Sequence, residues 1–402
     1  MPTSATAFLE ERTARFSPIA RGVSYGRCTE EVVGRAWRET QEELVRMGFR
    51  IPLWNSLAWA KFGAQSRRGR NRLLTVRDGA GRAMGSVAIA TYSSRVLPGH
   101  RSLRVERLDG EWPEASLEAM VRELGRIARE DPKALRMSVR VFSRGDRQRA
   151  AEVLERHGFQ RSAQPESYSH TLTLDLQRDE QAIFAGLHKT ARKNLRQVVG
   201  CGLFARPLTD VQYAERIGAL EDESMARSGG ARRKVDWGSV LELSRRYPEL
   251  SRISGLFLAK NELRPEALVA FAWGTMQSDH ASYTAAGTTR LPHLKISLSY
   301  PLVWDLVLWA KREGASWFDL GGVTVGDSAA DRLKGISDFK RYFSRTVEEV
   351  SEEWVLEPHP AKTRLARAAS RGAHAFAGLV ERFSGEEQTG PRVADGLTGG
   401  RA

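Results

Sequence analysis

At 402 residues the chain is too long for one small core, and two domains are expected. Its 62 Lys and Arg against 49 Asp and Glu leave a net charge of +13. That balance suits a polyanionic partner (RNA, an anionic membrane surface or a phosphorylated substrate), although solvated faces of an arginine-rich chain give the same excess.

The rest of the composition argues against several classes. Only two cysteines occur, Cys28 and Cys201, without a C-x-x-C pattern, so neither a disulfide scaffold nor a cysteine zinc site is expected. The eight histidines lack metal-ligand spacing, and no metal or cofactor is expected. No signal-peptide core opens the chain and no run of about 20 apolar residues occurs. A cytoplasmic protein without a transmembrane segment is expected; a peripheral membrane contact stays open.

Residues 1–28 read as a flexible arm. From Glu30 to Met47 the apolar residues Val33, Trp37, Leu44 and Met47 recur between charges, the spacing of an amphipathic helix that stops at Gly48. A short helix is expected over Trp54 to Phe62, then the basic loop Arg67 to Arg72 and a strand over Leu73 to Arg77. Asp78-Gly79-Ala80-Gly81 is a hairpin turn, answered by a strand from Met84 to Tyr92. Strand, helix, strand, helix and strand follow at Leu103 to Leu108, Glu114 to Glu130, Leu135 to Phe142, Asp146 to His157 and Ser169 to Leu176. This order is the layout of a GNAT acyltransferase domain, expected over 29–177.

The plan repeats over 178–357 in architecture only, with no residue-level period. A basic helix is expected from Asp179 to Val199, with further helices over Gln212 to Arg227 and Ser239 to Tyr247. Strands follow over Ile253 to Lys260, Leu268 to Met276 and Ser282 to Ala286, then a helix over Leu298 to Glu313. A fourth strand, Trp317 to Leu320, runs into Gly321-Gly322, and Glu348 to Val355 is expected to close this second sheet. No heptad run fills Asp210 to Ile253, so no long coiled-coil arm is expected. In 358–402 a basic helix over Ala361 to Phe383 precedes a Gly-rich tail that reads as disordered. The fold class is α/β (α+β): two tandem GNAT-like domains of mixed sheets flanked by helices.

One stretch organises this plan. The strand Ser316-Trp317-Phe318-Asp319-Leu320 ends in a double glycine, where a backbone can turn or be approached without steric cost. After a polar loop comes Gly335-Ile336-Ser337-Asp338-Phe339-Lys340-Arg341-Tyr342-Phe343. There Phe339 and Phe343 lie four apart and Lys340 projects in another direction. The residues alone leave two readings: a cleft at the carboxyl end of a strand, or a core strand with a glycine turn and a solvated lysine.

FDLGG followed by G-I-x-x-F-K-x-x-F resembles the carboxyl-terminal signature of the FemABX family. Those enzymes move amino acids from aminoacyl-tRNA onto amines, chiefly in peptidoglycan precursors. The resemblance takes in Trp54-Asn55-Ser56-Leu57-Ala58-Trp59-Ala60-Lys61, the run Leu187 to Arg196, and Trp304 to Gly314, spanning about residues 50 to 357 in the family's order. It implies aminoacyl-tRNA as donor, an amine as acceptor, and a catalytic role for Lys340 with Phe339 beside it. A fixed cation at the oxyanion of the tetrahedral intermediate contributes on the order of 2.7–4 kcal/mol. No Ser–His–Asp or Cys–His arrangement can be placed near it, so direct attack without a covalent enzyme intermediate is expected.

Other positions carry weaker signals. On a helix Lys189, Arg192, Lys193 and Arg196 share one face, which suits phosphates of tRNA or a merely solvated surface. The resemblance places Arg233 and Trp237 at the acceptor's phosphates, with Tyr283, Asp319, Gly321 and Gly322 completing the substrate-binding set. Here the chain departs from the family: Gly63 stands where a lysine is used, Trp237 where a tyrosine is, and Met137-Ser138-Val139-Arg140 where an aspartate is. The competing enzyme reading is a CoA-dependent N-acyltransferase. Its diphosphate loop would fall at Arg290-Leu291-Pro292-His293-Leu294-Lys295, which lacks both glycines and has Pro292 without an N–H. A nucleic-acid-binding module without catalysis would fit the basic patches but leave FDLGG and the Phe-Lys pair without a purpose.

Overall fold

The computed structural model describes residues 30–65, 71–94, 96–108, 112–228, 235–258, 263–291, 294, 296–323 and 334–370. The expected arm over 1–28, most of the basic loop 67–72, Arg233 and the tail after 370 lie outside the described residues.

The first half runs α1 (Glu30–Arg46), α2 (Leu57–Gln65), β1 (Asn71–Arg77), β2 (Ala83–Ser93), β3 (Arg101–Leu108), α3 (Glu114–Glu130), β4 (Ala134–Phe142), α4 (Arg147–Arg156) and the short β5 (Gln160–Arg161). The second runs β6 (His170–Asp175), α5 (Glu180–Gly186), α6 (Lys189–Gly200), β7 (Phe204–Leu208), α7 (Ala214–Ser228), α8 (Trp237–Arg246), β8 (Ser251–Phe257), β9 (Leu268–Met276), β10 (His280–Thr288), α9 (Ser299–Arg312), β11 (Trp317–Gly322), α10 (Lys334–Arg341), β12 (Val347–Glu349) and β13 (Ser351–Leu356). A last helix, α11, starts at Pro360 and is described to residue 370. Proline suits that first position because the amide it lacks would have no helical partner.

Two mixed sheets result, in the orders β1-β2-β3-β4-β13-β5 and β12-β6-β11-β10-β9-β8-β7. Each contains one parallel pair, β3 with β4 and β10 with β11, while its other pairs are antiparallel. In the first sheet Leu103, Val105, Met137, Val139 and Val141 face Leu117, Met120, Val121 and Leu124 of α3 in one core. In the second, α9 is buried along Leu302, Val303, Leu306, Val307 and Ala310, packed with Phe318 and Leu320 of β11. The long second-half arm is absent among the described residues: α7 and α8 are 15 and 10 residues long.

Two strands sit elsewhere than the sequence suggests. The strand read as the end of the first sheet, β6, pairs with β11 and β12 in the second. The segment read as closing the second sheet divides at Val350: β12 stays on that sheet, whereas β13 crosses to pair with β4 and β5 of the first. The chain thus exchanges one strand in each direction. Val350 is fully buried between the sheets with Phe142 and Trp317, so the exchange also seals the junction. The expected single helix over 179–199 is broken at Leu187-His188 into α5 and α6, and β7, which carries Pro207 on an edge strand, has no counterpart among the expected elements.

Candidate functional site

The two parallel pairs differ, and the difference locates a cleft. In the first sheet β3 and β4 stay paired from Arg101 with Ala134 to Leu108 with Val141. In the second, β10 and β11 are paired only from His280 with Trp317 to Ser282 with Asp319. Beyond that point β10 continues to Thr288 and β11 to Gly322 without pairing each other, so the sheet opens into a notch. A bulge against β9 between Tyr283 and Ala285 turns β10 away at the same level. Residues 283–286 remain paired with β9 on one side and are half-buried along the notch on the other.

Lys340 fills the mouth of this notch. Its side chain is 7% exposed, and Nζ donates to the carbonyl of Gly322 at 2.8 Å. A methyl group on Gly321 would lie 3.1 Å from Nζ and 3.4 Å from the carbonyl of Tyr283, which sets the ammonium over Gly321, between the two strand ends. Burial lowers the lysine's pKa to about 8, partly opposed by the charge of Asp319. At neutral pH the group is still mostly an ammonium. Its turn is held by aromatic packing: Phe339 meets Tyr300 at 4.9 Å and Phe343 at 5.5 Å, and Tyr300 stacks on Phe343. Burial, with Tyr342 nearby, raises the Tyr300 hydroxyl to about 12.

Asp319 lies beneath, fully buried in β11. Its Oδ1 accepts from the Thr171 hydroxyl at 2.5 Å and from the Gly321 amide at 2.7 Å, and its Oδ2 from the Tyr168 hydroxyl at 2.5 Å. Thr171 is supplied by the exchanged strand β6, and Tyr168 by the segment leading into it. Between Asp319 and Gly322 the β11–β6 register slips by one residue, and Gly321 takes φ +80°, a left-handed conformation that favours glycine. Gly322 is needed for another reason, since a Cβ there would stand 2.6 Å from that of Tyr168. Burial of its hydroxyl and the Asp319 charge hold Tyr168 well above the usual phenol range, against the opposing charges of Arg107 and Arg140. Tyr168 as a residue keeps 37% of its surface, so the burial that matters is at the hydroxyl. Burial likewise raises Tyr283.

The remaining sequence-derived residues separate. Lys340, Phe339, Tyr283, Asp319, Gly321 and Gly322 come together at the notch. Trp237 does not: it is 4% exposed, its indole donates to Glu221 at 3.0 Å, and it packs on Phe271 and Trp273. It is a core side chain, not an acceptor contact. On α6, Lys189, Lys193 and Arg196 are exposed, Arg196 lying 5.6 Å over the Phe184 ring. Arg192 instead donates to the carbonyls of Ala185 and Leu187 at 2.6 and 2.7 Å, capping the end of α5. The helix is tied to the site at its start, where His188 stacks on Tyr342 and bonds its carbonyl.

Sequence reasoning missed Tyr168, Thr171 and Tyr300, hydroxyl-bearing residues in ordinary strand and helix patterns. Among the described residues no group of three or more His, Cys, Asp or Glu could hold a metal ion, and no helix is long and apolar enough to cross a membrane.

No family model matches the chain, and no curated protein does. Solved structures do. The chain is similar to FemX with a TM-score of 0.65 at 12% identity, over 83% of this chain and 97% of that one. A C-terminal domain of a putative lysylphosphatidylglycerol synthetase from Agrobacterium fabrum matches at TM-score 0.49 and 14% identity, over 83% and 96% of the two chains. A tandem GNAT protein from the clavulanic acid biosynthesis pathway matches at 0.42 and 16%, over 83% and 97%. The chain has the fold of FemX, the Fem-like architecture of two tandem mixed α/β sheets that its signature implies.

Proposed function

We propose that the chain is a Fem-like aminoacyltransferase, moving an amino acid from aminoacyl-tRNA to an amine acceptor, a peptidoglycan precursor or a specialised-metabolite amine. The observation that carries this reading is the buried Lys340 ammonium, fixed at the open end of the only splayed parallel pair among the described strands. The acceptor nitrogen attacks the ester carbonyl carbon, a C–N bond forms, and the carbonyl oxygen takes the negative charge. Lys340 Nζ–H stabilises that oxyanion. Collapse breaks the C–O bond to the ribose, and the proton lost by the amine leaves with the ribose hydroxyl. No covalent enzyme intermediate is needed, because the ester is already activated.

A specific contact weighs against the CoA-dependent alternative. The amide of Ser297, at the entry to α9, is already taken by Asn194 Oδ1 of α6 at 3.0 Å. A diphosphate seated at a helix entry needs such amides free. The test is incubation with labelled aminoacyl-tRNAs and candidate amines. Product should vanish on RNase treatment and be indifferent to acetyl-CoA; transfer from acetyl-CoA that survives RNase overturns the reading.

The exposed face of α6 is proposed to track tRNA phosphates. Replacing Lys189, Lys193 and Arg196 together by alanine should lower the salt slope of tRNA binding by about 2, near 0.7 per lost phosphate contact. Filter binding between low and moderate salt measures it. An unchanged slope would place the RNA path elsewhere. Arg192 is left intact in this variant, since its loss would uncap α5.

A further inference from the structure

The arginines on the open face of the first sheet are nearly all neutralised. Arg136 pairs with Glu353 at 2.8 Å, Arg140 with Glu106 at 3.2 Å, and Arg104 with Glu166 at 2.7 Å. Arg107 is the exception. It is 8% exposed, pairs with no carboxylate among the described residues, and its buried Nη1 has no hydrogen-bond partner. An unpaired buried charge is costly and calls for an explanation, and a ligand that completes it is one.

Its placement is deliberate in the chain. Between Val105 and Leu108 the β3–β4 register gains a residue, so Arg107 leaves the strand's alternation while Leu108 returns to the core. The buried Asn55 of the W-N-S motif fixes this bulge, donating to the Arg107 carbonyl at 3.0 Å and accepting from the Ala88 amide at 3.2 Å. The guanidinium then lies 3.6 Å over the ring of Phe142, a fixed platform for a planar cation. Phe142 in turn stacks on His280 at 5.1 Å and meets Tyr168 edge-on at 6.0 Å.

Those neighbours belong to the catalytic sheet. His280 and Ser282 lie on β10 opposite Trp317 and Asp319, and His280 Nε2 and Ser282 Oγ are also buried without partners. Three unsatisfied polar atoms therefore lie on or beside the paired stretch of β10 and β11, next to where the notch opens. The Arg107 charge also reaches the Tyr168 hydroxyl that binds Asp319, lowering its pKa against the larger effects of burial and of Asp319.

We infer that Arg107 is a substrate-binding residue: it takes an oxyanion group, phosphate or carboxylate, of the amine acceptor and holds that acceptor against the notch. This rests on the aminoacyltransferase reading for the identity of the substrate, but not for the existence of an anion site. The acceptor is favoured over the donor because Arg107 comes from the sheet opposite the one that carries Lys340 and α6.

The test uses the full chain and inorganic pyrophosphate, followed by calorimetry at constant ionic strength, and needs no turnover. Wild type should bind saturably; Arg107→Met, which keeps the packing on Phe142, should bind at least tenfold more weakly. Arg144→Met is the control, because Arg144 stacks on Trp317 but is paired with Glu348; it should bind as wild type does. Should Arg107→Met fail to fold, Arg107→Gln replaces it. Equal binding by wild type and variant, or none by wild type, overturns the site. Filter binding of aminoacyl-tRNA separates the two sources of phosphate: Arg107→Met should leave tRNA affinity unchanged, and a tenfold loss there would move the contact to the donor and overturn the acceptor assignment. A failed RNase test with pyrophosphate binding intact would sink the aminoacyl reading alone.

Discussion

Lys340→Met is expected to lower turnover by about 10²–10³-fold while leaving the affinity for aminoacyl-tRNA near wild type. Methionine keeps the length and most of the packing of the lysine stem but removes the charge proposed to meet the ester's carbonyl oxygen. Lys340→Arg should recover little, because the site between Gly321, Gly322 and Tyr283 fits one ammonium and not a planar fork. Single-turnover kinetics over a range of aminoacyl-tRNA concentrations separates the outcomes. A rise in the Michaelis constant for tRNA with turnover intact would make Lys340 a phosphate contact and remove the oxyanion role.

The same substitution should stabilise the fold. With its pKa lowered from 10.5 to about 8, the buried ammonium costs on the order of 3 kcal/mol relative to an exposed lysine. Losing the bond to the Gly322 carbonyl returns about 1 kcal/mol of that, leaving a net gain of about 2 kcal/mol at pH 7. The sign of the pH dependence follows from who holds the proton. Below about 8 both folded and unfolded chains hold it, and the cost is complete. Between about 8 and 10.5 the unfolded chain holds more protons, so wild type gains stability as pH rises and the gap to the variant closes. Denaturant midpoints at pH 7 and pH 10 measure this. Activity should fall over the alkaline limb near pH 8 for the same reason, since the neutral amine cannot stabilise an oxyanion.

The sheet elements were legible because local periodicity and turn chemistry agree along most of the chain. Glu114–Glu130 and Leu268–Met276 fall within their expected limits to the residue. What periodicity cannot carry is the identity of the partner sheet. His170–Asp175 alternates as an ordinary half-buried strand, and nothing in six residues says which of two sheets will take it. The exchange is decided by distant contacts, such as Thr171 with Asp319 and Trp354 with Arg161. Lys340 stands out because the glycine pair and the aromatic spacing that frame it resemble a family signature; the residues alone leave it open as a solvated lysine. Arg107 does not stand out, since an arginine in Val105-Glu106-Arg107-Leu108 looks like any solvated strand residue until the bulge is known. Trp237 is the converse case: the resemblance sets it where the family has a tyrosine at the acceptor, and only its contacts with Glu221, Phe271 and Trp273 show a core side chain.

Asp319→Ala should cost on the order of 3–5 kcal/mol of stability, the range for removing one partner from a buried charged network. The two hydroxyls of Tyr168 and Thr171 and the amide of Gly321 would lose their acceptor together in a site closed to water. Because Thr171 and Tyr168 belong to the exchanged strand and its approach, that loss should also loosen β6 from β11. Hydrogen exchange over 168–175 should rise before that of the α9 core. Asp319→Asn isolates the electrostatic part. The amide preserves volume and can accept from one hydroxyl, but its neutrality removes the charge that holds the Lys340 pKa up against burial. The lysine then deprotonates below pH 8, and the alkaline limb of the rate profile should move to lower pH, with activity at pH 6 least affected. An Asn variant whose limb stays where it is in wild type would show that the limb belongs to another group, and that Asp319 shapes the notch without tuning its cation.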